Sequence, residues 1–181
     1  MKEKLLGKIL EELREAAAGC GLKPFVGKQL ADWLYVKRVR SWDRMVNISK
    51  AARERLAESF DIGTAAPAGR TLSSDGTAKY LFPVACRRPD GIEESMVEAV
   101  MIPDDERKTV CVSSQAGCRM GCRFCASTQA GRVRNLEAGE ICSEIYTAQK
   151  DIGERISHIV LMGIGEPLDN FDEGMRFLEN I

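Results

Sequence analysis

The sequence has little histidine, few aromatic residues and almost no net charge. Of its 181 residues only one is a histidine, aromatic residues make up 6%, and the formal net charge is −1. Because the net charge is so close to zero, any binding of nucleic acid must come from a local basic patch and not from the field of the whole molecule. Internal repeats and low-complexity segments are also absent.

Long apolar runs are missing as well. No segment approaches the length of a membrane span, and charges interrupt the first 19 residues too often for a secretory signal peptide. With 44% apolar and 29% charged residues, the composition is that of a soluble globular protein with one or two domains. The seven cysteines are an odd number and fit a reducing compartment, so we predict a cytoplasmic protein with no membrane attachment.

Three of these cysteines lie close together. Cys118, Cys122 and Cys125 are separated by three and then two residues, in a loop that contains two glycines. Three thiols this close together are typical of a metal centre and not of ordinary core packing. Zinc would require a fourth protein ligand, and the single histidine, His158, lies in an apolar run far downstream.

The cysteine spacing also differs from that of ordinary ferredoxins. Four-cysteine ferredoxin runs have gaps of two, two and three residues and a following proline. A [4Fe–4S] cluster held by three cysteines needs no fourth protein ligand and leaves one iron open to substrate. We favour this interpretation, with zinc and a chance group of cysteines as the alternatives.

Residues 1–62 are predicted to form a small bundle of three amphipathic helices. Apolar residues recur at helical spacing in the first, Pro24 opens the second, and Ser49 is the candidate N-cap of the third. The residues predicted to face inward are Leu6, Ile9, Leu10, Leu13, Val26, Leu30, Trp33, Leu34, Ala52, Leu56 and Phe60.

Basic and aromatic residues alternate over residues 33–44. Such a segment can contact RNA phosphates and stack on bases. The interpretation that we favour from the sequence alone is a solvated helix face, with Trp33 and Trp42 in the core.

Residues 63–108 are predicted to form a linker followed by a β-hairpin extension. Asp75-Gly76 is a strong hairpin turn signal, and a second turn is expected at 88–91. In the strand predicted over 92–102, the residues around Glu98 are apolar on both faces. Met96, Val100 and Ile102 share the face of Glu98, so this carboxylate must be either paired or functional.

Residues 109–181 alternate between strand and helix patterns. We expect a strand at 109–113, then the cysteine loop, a helix at 136–150, a buried parallel strand at 156–161 and a helix from Asp172. His158, inside the second strand, is predicted to be a core histidine. Loops that carry chemistry at the carboxyl ends of strands are typical of a βα-barrel.

Two motifs carry a resemblance to a known superfamily. The CxxxCxxC spacing resembles the signature of radical S-adenosylmethionine (SAM) enzymes, in which the open iron binds SAM. Residues 163–167, Gly-Ile-Gly-Glu-Pro, resemble the motif that holds the SAM amino group in that superfamily. The resemblance implies two cofactors, a [4Fe–4S] cluster and SAM.

The flanking residues resemble one family, the RlmN/Cfr-type radical SAM RNA methyltransferases. The similar stretches are 24–35, 47–50, 73–79, 97–103, 111–118, 135–136 and 161–168. The resemblance implies methylation of an adenine at C2 in 23S rRNA and in tRNA, as in the RlmN branch. The alternative within the family is the Cfr branch, which methylates C8.

The resemblance also implies roles for individual residues. Cys118, Cys122 and Cys125 would hold the cluster, and Gly165 and Glu166 would bind SAM.

Two further residues match catalytic positions of the family. Cys111 matches the product-releasing cysteine, which can form a disulfide bond with a methyl-carrying cysteine, and Glu98 matches the proton acceptor. Cys20, Cys86 and Cys142 match nothing catalytic, so we expect them to serve packing.

The sequence departs from the family in one large respect. The methyl-carrying cysteine and most barrel strands of the family have no counterpart in these residues. We therefore expect an α/β chain with three parts: a helical RNA-binding-type domain (1–62), a hairpin extension (63–108) and the start of a TIM-type radical SAM barrel (109–181), truncated after about two βα units. We expect such a fragment, or half of a split protein, to be inactive alone.

The implied partners are 23S rRNA, tRNA and an electron donor such as flavodoxin or ferredoxin, with a monomer at full length. The alternatives from other classes are a different radical SAM enzyme and an iron–sulfur or zinc module that binds RNA.

Overall fold

The structure is a computed structural model that describes residues 2–88, 91–104, 106–129 and 131–181. The chain divides into two compact units. The first comprises Met1–Thr64, Ala138–Cys142 and Met175–Ile181, and the second comprises Ala65–Glu137 and Ser143–Gly174. The sequence-based boundaries at 62 and 108 remain a prediction.

The first unit contains the three helices expected near the N-terminus. They are α1 (Leu10–Gly19), α2 (Phe25–Ala31), which a π-helical turn (Asp32–Val36) extends, and α3 (Lys50–Ser59). Ser49 caps α3 as predicted, because its hydroxyl accepts a hydrogen bond from the Ala52 amide at 3.3 Å.

Most of the predicted inward residues of this unit are buried. They are Leu6, Leu13, Val26, Leu30, Trp33, Leu34, Ala52 and Leu56. Leu10 is 38% exposed, and Phe60 lies outside α3, in a short strand. The helical period therefore identified the core side of each helix but extended too far at the ends.

A pair of short parallel strands in the first unit was not predicted. Strand β1 (Glu3–Lys4) pairs with β2 (Phe60–Asp61). Two-residue strands leave no alternation to detect, so no sequence pattern marks them. The unit also contains an ion pair in which Arg176 donates two hydrogen bonds of 2.7 Å to the Glu12 carboxylate. This contact is the main reason why the pKa of Glu12 is lowered.

The second unit is built on a five-stranded sheet. Its strands are β3 (Gly69–Leu72), β4 (Ala78–Arg88), β5 (Gly91–Pro103), β6 (Lys108–Cys111) and β9 (His158–Val160). They lie in the order β3-β4-β5-β6-β9, and every pair is antiparallel except β6 and β9, which are parallel. The expected parallel pairing of the two barrel-type strands is confirmed, but β9 is not buried as predicted, because His158 is exposed and Ile159 and Val160 are only half-buried.

The hairpin between β3 and β4 turns where the sequence predicts. Gly76 has φ +84°, and the Thr77 amide donates a 2.9 Å hydrogen bond to Oδ1 of Asp75. These are the roles that Asp-Gly performs in tight turns. Of the second expected turn, residues 89 and 90 lie outside the described residues, but β4 and β5 pair up to Arg88 and Gly91 on either side of it.

The two faces of this sheet differ, and we call them the buried face and the open face. The buried face carries Tyr80, Phe82, Val97, Ala99 and Val110, none of them more than 2% exposed. The open face alternates with it and carries Glu98, Val100, Ile102, Thr109 and Cys111. Ile102 and Met96 are 44% and 47% exposed, so the face of Glu98 is apolar, as predicted, but only half covered.

A second, two-stranded antiparallel sheet holds the cysteine loop. Its strands are β7 (Gln115–Gly117) and β8 (Arg132–Asn135), and the cysteines lie between them. Helix α4 (Ala138–Ile152) follows β8, and α5 (Phe171–Glu179) follows β9, near the predicted positions. The Tyr80 hydroxyl, on the buried face, donates a 2.6 Å hydrogen bond to Asp151 of α4.

The prediction for His158 is wrong. The residue is exposed, at the first position of β9, and its Nδ1 lies 2.9 Å from the Ser157 hydroxyl. It pairs in register with Thr109 of the open face, which is only partly covered. An apolar run does not reveal which face of a short strand remains uncovered.

Candidate functional site

The cysteine loop closes on itself through backbone hydrogen bonds. The Cys118 amide donates to the Ser127 carbonyl, and the Cys125 amide donates to the Cys122 carbonyl, both at 3.1 Å. Gly117 opens the loop with φ +72°, and a Cβ atom there would lie 1.9 Å from the carbonyl oxygen of Gly131. No other residue fits this position.

The three thiols of the loop differ in exposure. Cys118 is buried, Cys125 is half-buried and Cys122 is exposed, and all seven cysteines of the chain are free thiols. Within the described part of the chain, no three His, Cys, Asp or Glu side chains converge closely enough to hold a single metal ion.

A four-iron cluster places a different demand on the loop. It spreads its thiolates more widely than a single ion does, because each thiolate bonds a different iron atom. The donors here are three cysteines on one loop, which suits iron–sulfur chemistry. The residues therefore fit a three-cysteine cluster by the chemistry of their donor set.

The loop that follows β9 packs against the segment that leads into the cysteine loop. The Gly163 amide donates to the Val112 carbonyl and the Ile164 amide to the Ser113 hydroxyl, each at 3.0 Å. The Ile164 carbonyl in turn accepts a 2.9 Å bond from the Ser114 amide. A Cβ atom on Gly165, whose φ is +108°, would lie 2.7 Å from the Ser114 hydroxyl oxygen. The predicted SAM-binding loop and the cysteine loop are thus brought together.

The Glu166 carboxylate faces its own loop. Its Oε1 accepts a 3.1 Å hydrogen bond from the Leu168 amide and so caps the 3₁₀ turn Pro167–Asn170. The Glu166 amide donates to Oε1 of Gln115 at 3.0 Å. The backbone of the predicted SAM-binding residue is therefore held from the segment before the cysteines.

Several polar residues at this junction were not singled out from the sequence. Gln115 and Asn170 are buried and donate hydrogen bonds across it, and Asp169 pairs with Arg119 of the cysteine loop. Hydrogen bonds from Gln115 and then Arg119 hold the pKa of Asp169 below its ordinary value. The amide side chains of Gln115 and Asn170 are visible in the sequence, but sequence spacing does not identify their hydrogen-bond partners.

Cys111 lies on the open face of β6, opposite Val100 of β5. Burial is the main reason why the pKa of its thiol is raised; a hydrogen bond with the Met162 backbone opposes this rise and the charge of Glu144 adds to it. A thiol of this kind stays protonated until it is activated. The structure does not bring Cys111 into the loop of the other three cysteines.

Glu98 lies on the same open face as Cys111. Its Oε2 and Oε1 lie 3.3 and 3.4 Å from Nζ of Lys79, and its side chain is 40% exposed. Its carbonyl accepts a 2.7 Å hydrogen bond from the Ser113 hydroxyl. The carboxylate is therefore paired, which the sequence offered as one of two possibilities.

Two of the three remaining cysteines lie in the interior, whereas Cys20 is only half-buried. Cys86 and Cys142 are buried, and Trp33 is also buried, with Nζ of Lys37 lying 3.8 Å from its ring centroid. Trp42 is only half-buried, so the prediction that it lies in the core is wrong. Trp33 is thus in the core, as the favoured interpretation predicts, and its ring is not available to stack on a base.

Known proteins resemble this chain in sequence. Residues 4–62 match a family model described as the ribosomal RNA large subunit methyltransferase N-terminal domain, RlmN_N. The chain is 42% identical over 98% of its length to a protein of Phocaeicola vulgatus named "Probable dual-specificity RNA methyltransferase RlmN". A Clostridium perfringens protein of the same name is 50% identical over 94% of the chain. The chain covers 48% and 47% of these two relatives.

A solved structure also resembles it. A radical SAM methyltransferase from Sphaerobacter thermophilus superposes with a TM-score of 0.85 at 34% identity, over 98% of this chain and 51% of that one. No helix among the described residues is long and apolar enough to span a membrane. The chain is therefore similar over nearly its whole length to proteins named RlmN, and it spans about half the length of the curated relatives that it matches.

Proposed function

We propose that the chain is the N-terminal portion of a radical SAM methyltransferase that methylates C2 of an adenine in 23S rRNA and in tRNA. One observation carries the proposal. Strand β6 leads through β7 into the cysteine loop, the Gly-Glu-Pro loop follows β9, and β6 and β9 are parallel neighbours. Parallel neighbours end at the same edge of a sheet, so both loops lie at the edge where βα-folds carry their chemistry.

The fold of the second unit supports a partial barrel. Strand β9 is the last strand of the five, and among the described residues its outer edge has no partner strand. An edge of this kind accepts a further parallel strand. The relatives are about twice as long as this chain. Further βα units, from a polypeptide that corresponds to the rest of their length, would pair with β9 and cover the open face.

Two groups of residues would hold the cofactors. Cys118, Cys122 and Cys125 would hold the [4Fe–4S] cluster, and Gly165 and Glu166 would bind the amino group of SAM. The bound cofactors supply an electron and a radical. The chain's own residues keep the two loops at one edge of the sheet: Gly165 allows the close approach to Ser114, and the Glu166 amide is held by Gln115.

Glu98 and Cys111 are the proposed catalytic groups on the open face. The ion pair with Lys79 orients the Glu98 carboxylate, which would accept a proton from the RNA base. The Cys111 thiol, protonated at rest, would lose its proton and form a disulfide bond with the sulfur of the methyl-carrying cysteine. The bond between that sulfur and the carbon attached to the base would break in the same step, and its electron pair and a proton would complete the methyl group of the product. That second cysteine would come from the same polypeptide that completes the barrel.

RNA would contact the chain through phosphates in the first unit. Arg38 and Arg40 belong to the basic segment 33–44, and both neighbouring tryptophans are at least half-buried. Phosphate contacts of this kind contribute affinity without reading sequence. An electron donor such as flavodoxin or ferredoxin would supply the reducing electron.

The first test is cluster content. After anaerobic reconstitution we expect about four irons and four acid-labile sulfides per chain at full loading. Cys118→Ala, Cys122→Ala and Cys125→Ala should each abolish the brown colour, and the matched control Cys111→Ala should keep it. Zinc in place of iron, or loss of iron in Cys111→Ala, would contradict the ligand assignment.

The second test is methyl transfer. With labelled SAM and 23S rRNA we expect no product from residues 1–181 alone, because the methyl-carrying cysteine is not among them. Adding a polypeptide with the remaining strands and that cysteine should restore methylation at adenine C2. Methylation at C8 would instead favour the Cfr-like activity, and product from the 181 residues alone would contradict the proposal.

A further inference from the structure

Gln115 is buried at the point where three segments of the second unit meet. Its side chain is fully excluded from solvent. Its Oε1 accepts a 3.0 Å hydrogen bond from the Glu166 amide, and its Nε2 donates to Oδ1 of Asn135 at 2.8 Å and to Oδ2 of Asp169 at 2.9 Å. Both amide hydrogens and the carbonyl oxygen of this side chain are therefore used.

The partners of Gln115 come from two other parts of the proposed site. Glu166 and Asp169 are in the loop after β9, Asn135 ends β8 on the far side of the cysteine loop, and Gln115 itself begins β7 on its near side. One planar amide thus fixes the spacing between the two strands that bracket the cysteines and the loop that follows β9.

The loop after β9 also packs closely against Gln115. A Cβ atom on Gly165 would lie 2.7 Å from Cβ of Gln115, so backbone and side chain meet at van der Waals contact. Asp169 also forms an ion pair with Arg119, one residue after the first cysteine. The Asp169 carboxylate thus contacts both the Gln115 amide and the Arg119 side chain.

We propose that Gln115 is a positioning residue, whose side-chain amide sets the distance and angle between the cysteine loop and the Gly165-Glu166 loop. The consequence for SAM binding rests on the proposed function; the mechanical link between the two loops does not. A buried amide suits this task because its three hydrogen bonds have fixed directions, and leaving any of their partners unpaired inside the protein is costly.

The test uses Gln115→Met in residues 1–181, with Gln149→Met as the matched control. Methionine nearly matches glutamine in length and volume but makes none of the three bonds. Gln149 is a buried glutamine of α4 in the same unit, and among the described residues its Oε1 has no hydrogen-bond partner. The control repeats the chemical change without touching the junction.

The first measurement is amide hydrogen exchange on the chain without cofactors. We expect the Glu166 amide to exchange about tenfold faster or more in Gln115→Met, since its acceptor is gone. Exchange at Glu166 should stay within about twofold of wild type in Gln149→Met. Equal exchange in Gln115→Met and wild type would overturn the proposal.

A second variant covers the case in which Gln115→Met does not fold. Asn135→Ala removes one of the two acceptors of the Gln115 amide at a half-buried position of β8. We expect Glu166 exchange to rise about threefold, because the Gln115 side chain then loses one restraint. Unchanged exchange at Glu166 in this variant would likewise contradict the positioning role.

The last measurement separates this proposal from the proposed function. In the reconstituted chain, Gln115→Met should keep the iron content of wild type but need about tenfold more SAM for the SAM-induced change in the electron paramagnetic resonance spectrum of the reduced cluster. If wild type bound no iron or SAM, the proposed function would fail while the exchange result still decided the role of Gln115. Equal SAM dependence in both proteins would limit Gln115 to a structural role.

Discussion

The buried face and the open face of the five-stranded sheet come from the same strands, but they carry different residues. On the buried face Tyr80, Phe82 and Val97 exclude water almost completely. One residue away along the same strands, the open face carries Glu98, Lys79 and the Cys111 thiol among partly exposed apolar side chains. The period of two in a β-strand therefore separates the residues that hold the fold from those proposed to act on a substrate.

The difference shows where the second unit derives its stability. Apolar area removed from water is the main stabilising contribution to a fold, and the buried face supplies more of it than the open face. The open face contributes less, because Met96 and Ile102 keep almost half of their area exposed. Substitutions on the two faces should therefore differ in kind: loss of stability on one, and loss of chemistry on the other.

The largest expected effect lies on the buried face. Phe82→Ala should lower the free energy of unfolding by about 3–5 kcal/mol, because a fully buried ring leaves a cavity. Ile102→Ala on the open face should cost less than about 1 kcal/mol. Urea denaturation followed by circular dichroism measures both, and equal losses would remove the distinction between the faces.

The next effect is chemical and lies on the open face. Glu98→Gln keeps the shape of the side chain but removes the proposed base, so methyl transfer by the completed enzyme should fall about 100-fold or more. Because Glu98 is 40% exposed and its ion pair lies at the surface, the unfolding free energy should change by less than about 1 kcal/mol. Turnover at the wild-type rate would leave Glu98 only as the structural partner of Lys79.

A smaller effect concerns Tyr80 on the buried face. Burial is the main reason why its pKa is raised, to about 12 from 10.0, and the hydrogen bond to Asp151 adds to the rise. Because the pKa of Tyr80 is higher in the folded than in the unfolded chain, folding favours the protonated, neutral phenol. Its contribution is complete below pH 10 and is lost as the pH rises from 10 towards 12.

Tyr80→Phe is the variant that tests this linkage. It should cost about 1 kcal/mol at neutral pH through the lost hydrogen bond. Its stability should also fall less steeply than that of wild type between pH 10 and 12. Parallel pH curves for the two proteins, measured by urea denaturation, would contradict the assignment.

The smallest effect distinguishes two thiols. Burial raises the pKa of the Cys111 thiol, whereas Cys122 is exposed in the cysteine loop. When the chain without cofactors is treated with iodoacetamide and the products are analysed by mass spectrometry, Cys122 should be labelled first. Labelling of Cys111 should be slower at neutral pH and rise at higher pH than for an ordinary thiol. Equal rates for both thiols would show that the open face exposes Cys111 fully.

Much of this architecture could be predicted from local pattern. The helices of the first unit follow from apolar residues at helical spacing and from the Ser49 cap, and the hairpin follows from Asp75-Gly76. The alternation around Glu98 predicted the two faces of β5. These features depend on residues a few positions apart, whose conformational preferences act within a single element.

The proposed site was predictable only in its parts. The spacing of Cys118, Cys122 and Cys125 and the run at 163–167 identify two candidate loops, but nothing local states that they meet. Gln115 reaches Glu166 and Asp169 across more than fifty residues of chain, and Lys79 of β4 reaches Glu98 of the neighbouring strand β5. Hydrogen bonds of this range depend on register and loop geometry, which sequence spacing does not encode.

The amino-acid sequence by itself thus determined the cysteine spacing, the helical and strand periods and the turn at Asp75-Gly76, because each is a property of neighbouring residues. The tertiary structure alone decided two other features: that His158 is exposed, and that a buried glutamine joins the two loops. The physical reason is that burial and hydrogen-bond partners depend on which distant segments pack together, and only the folded chain brings those segments into contact.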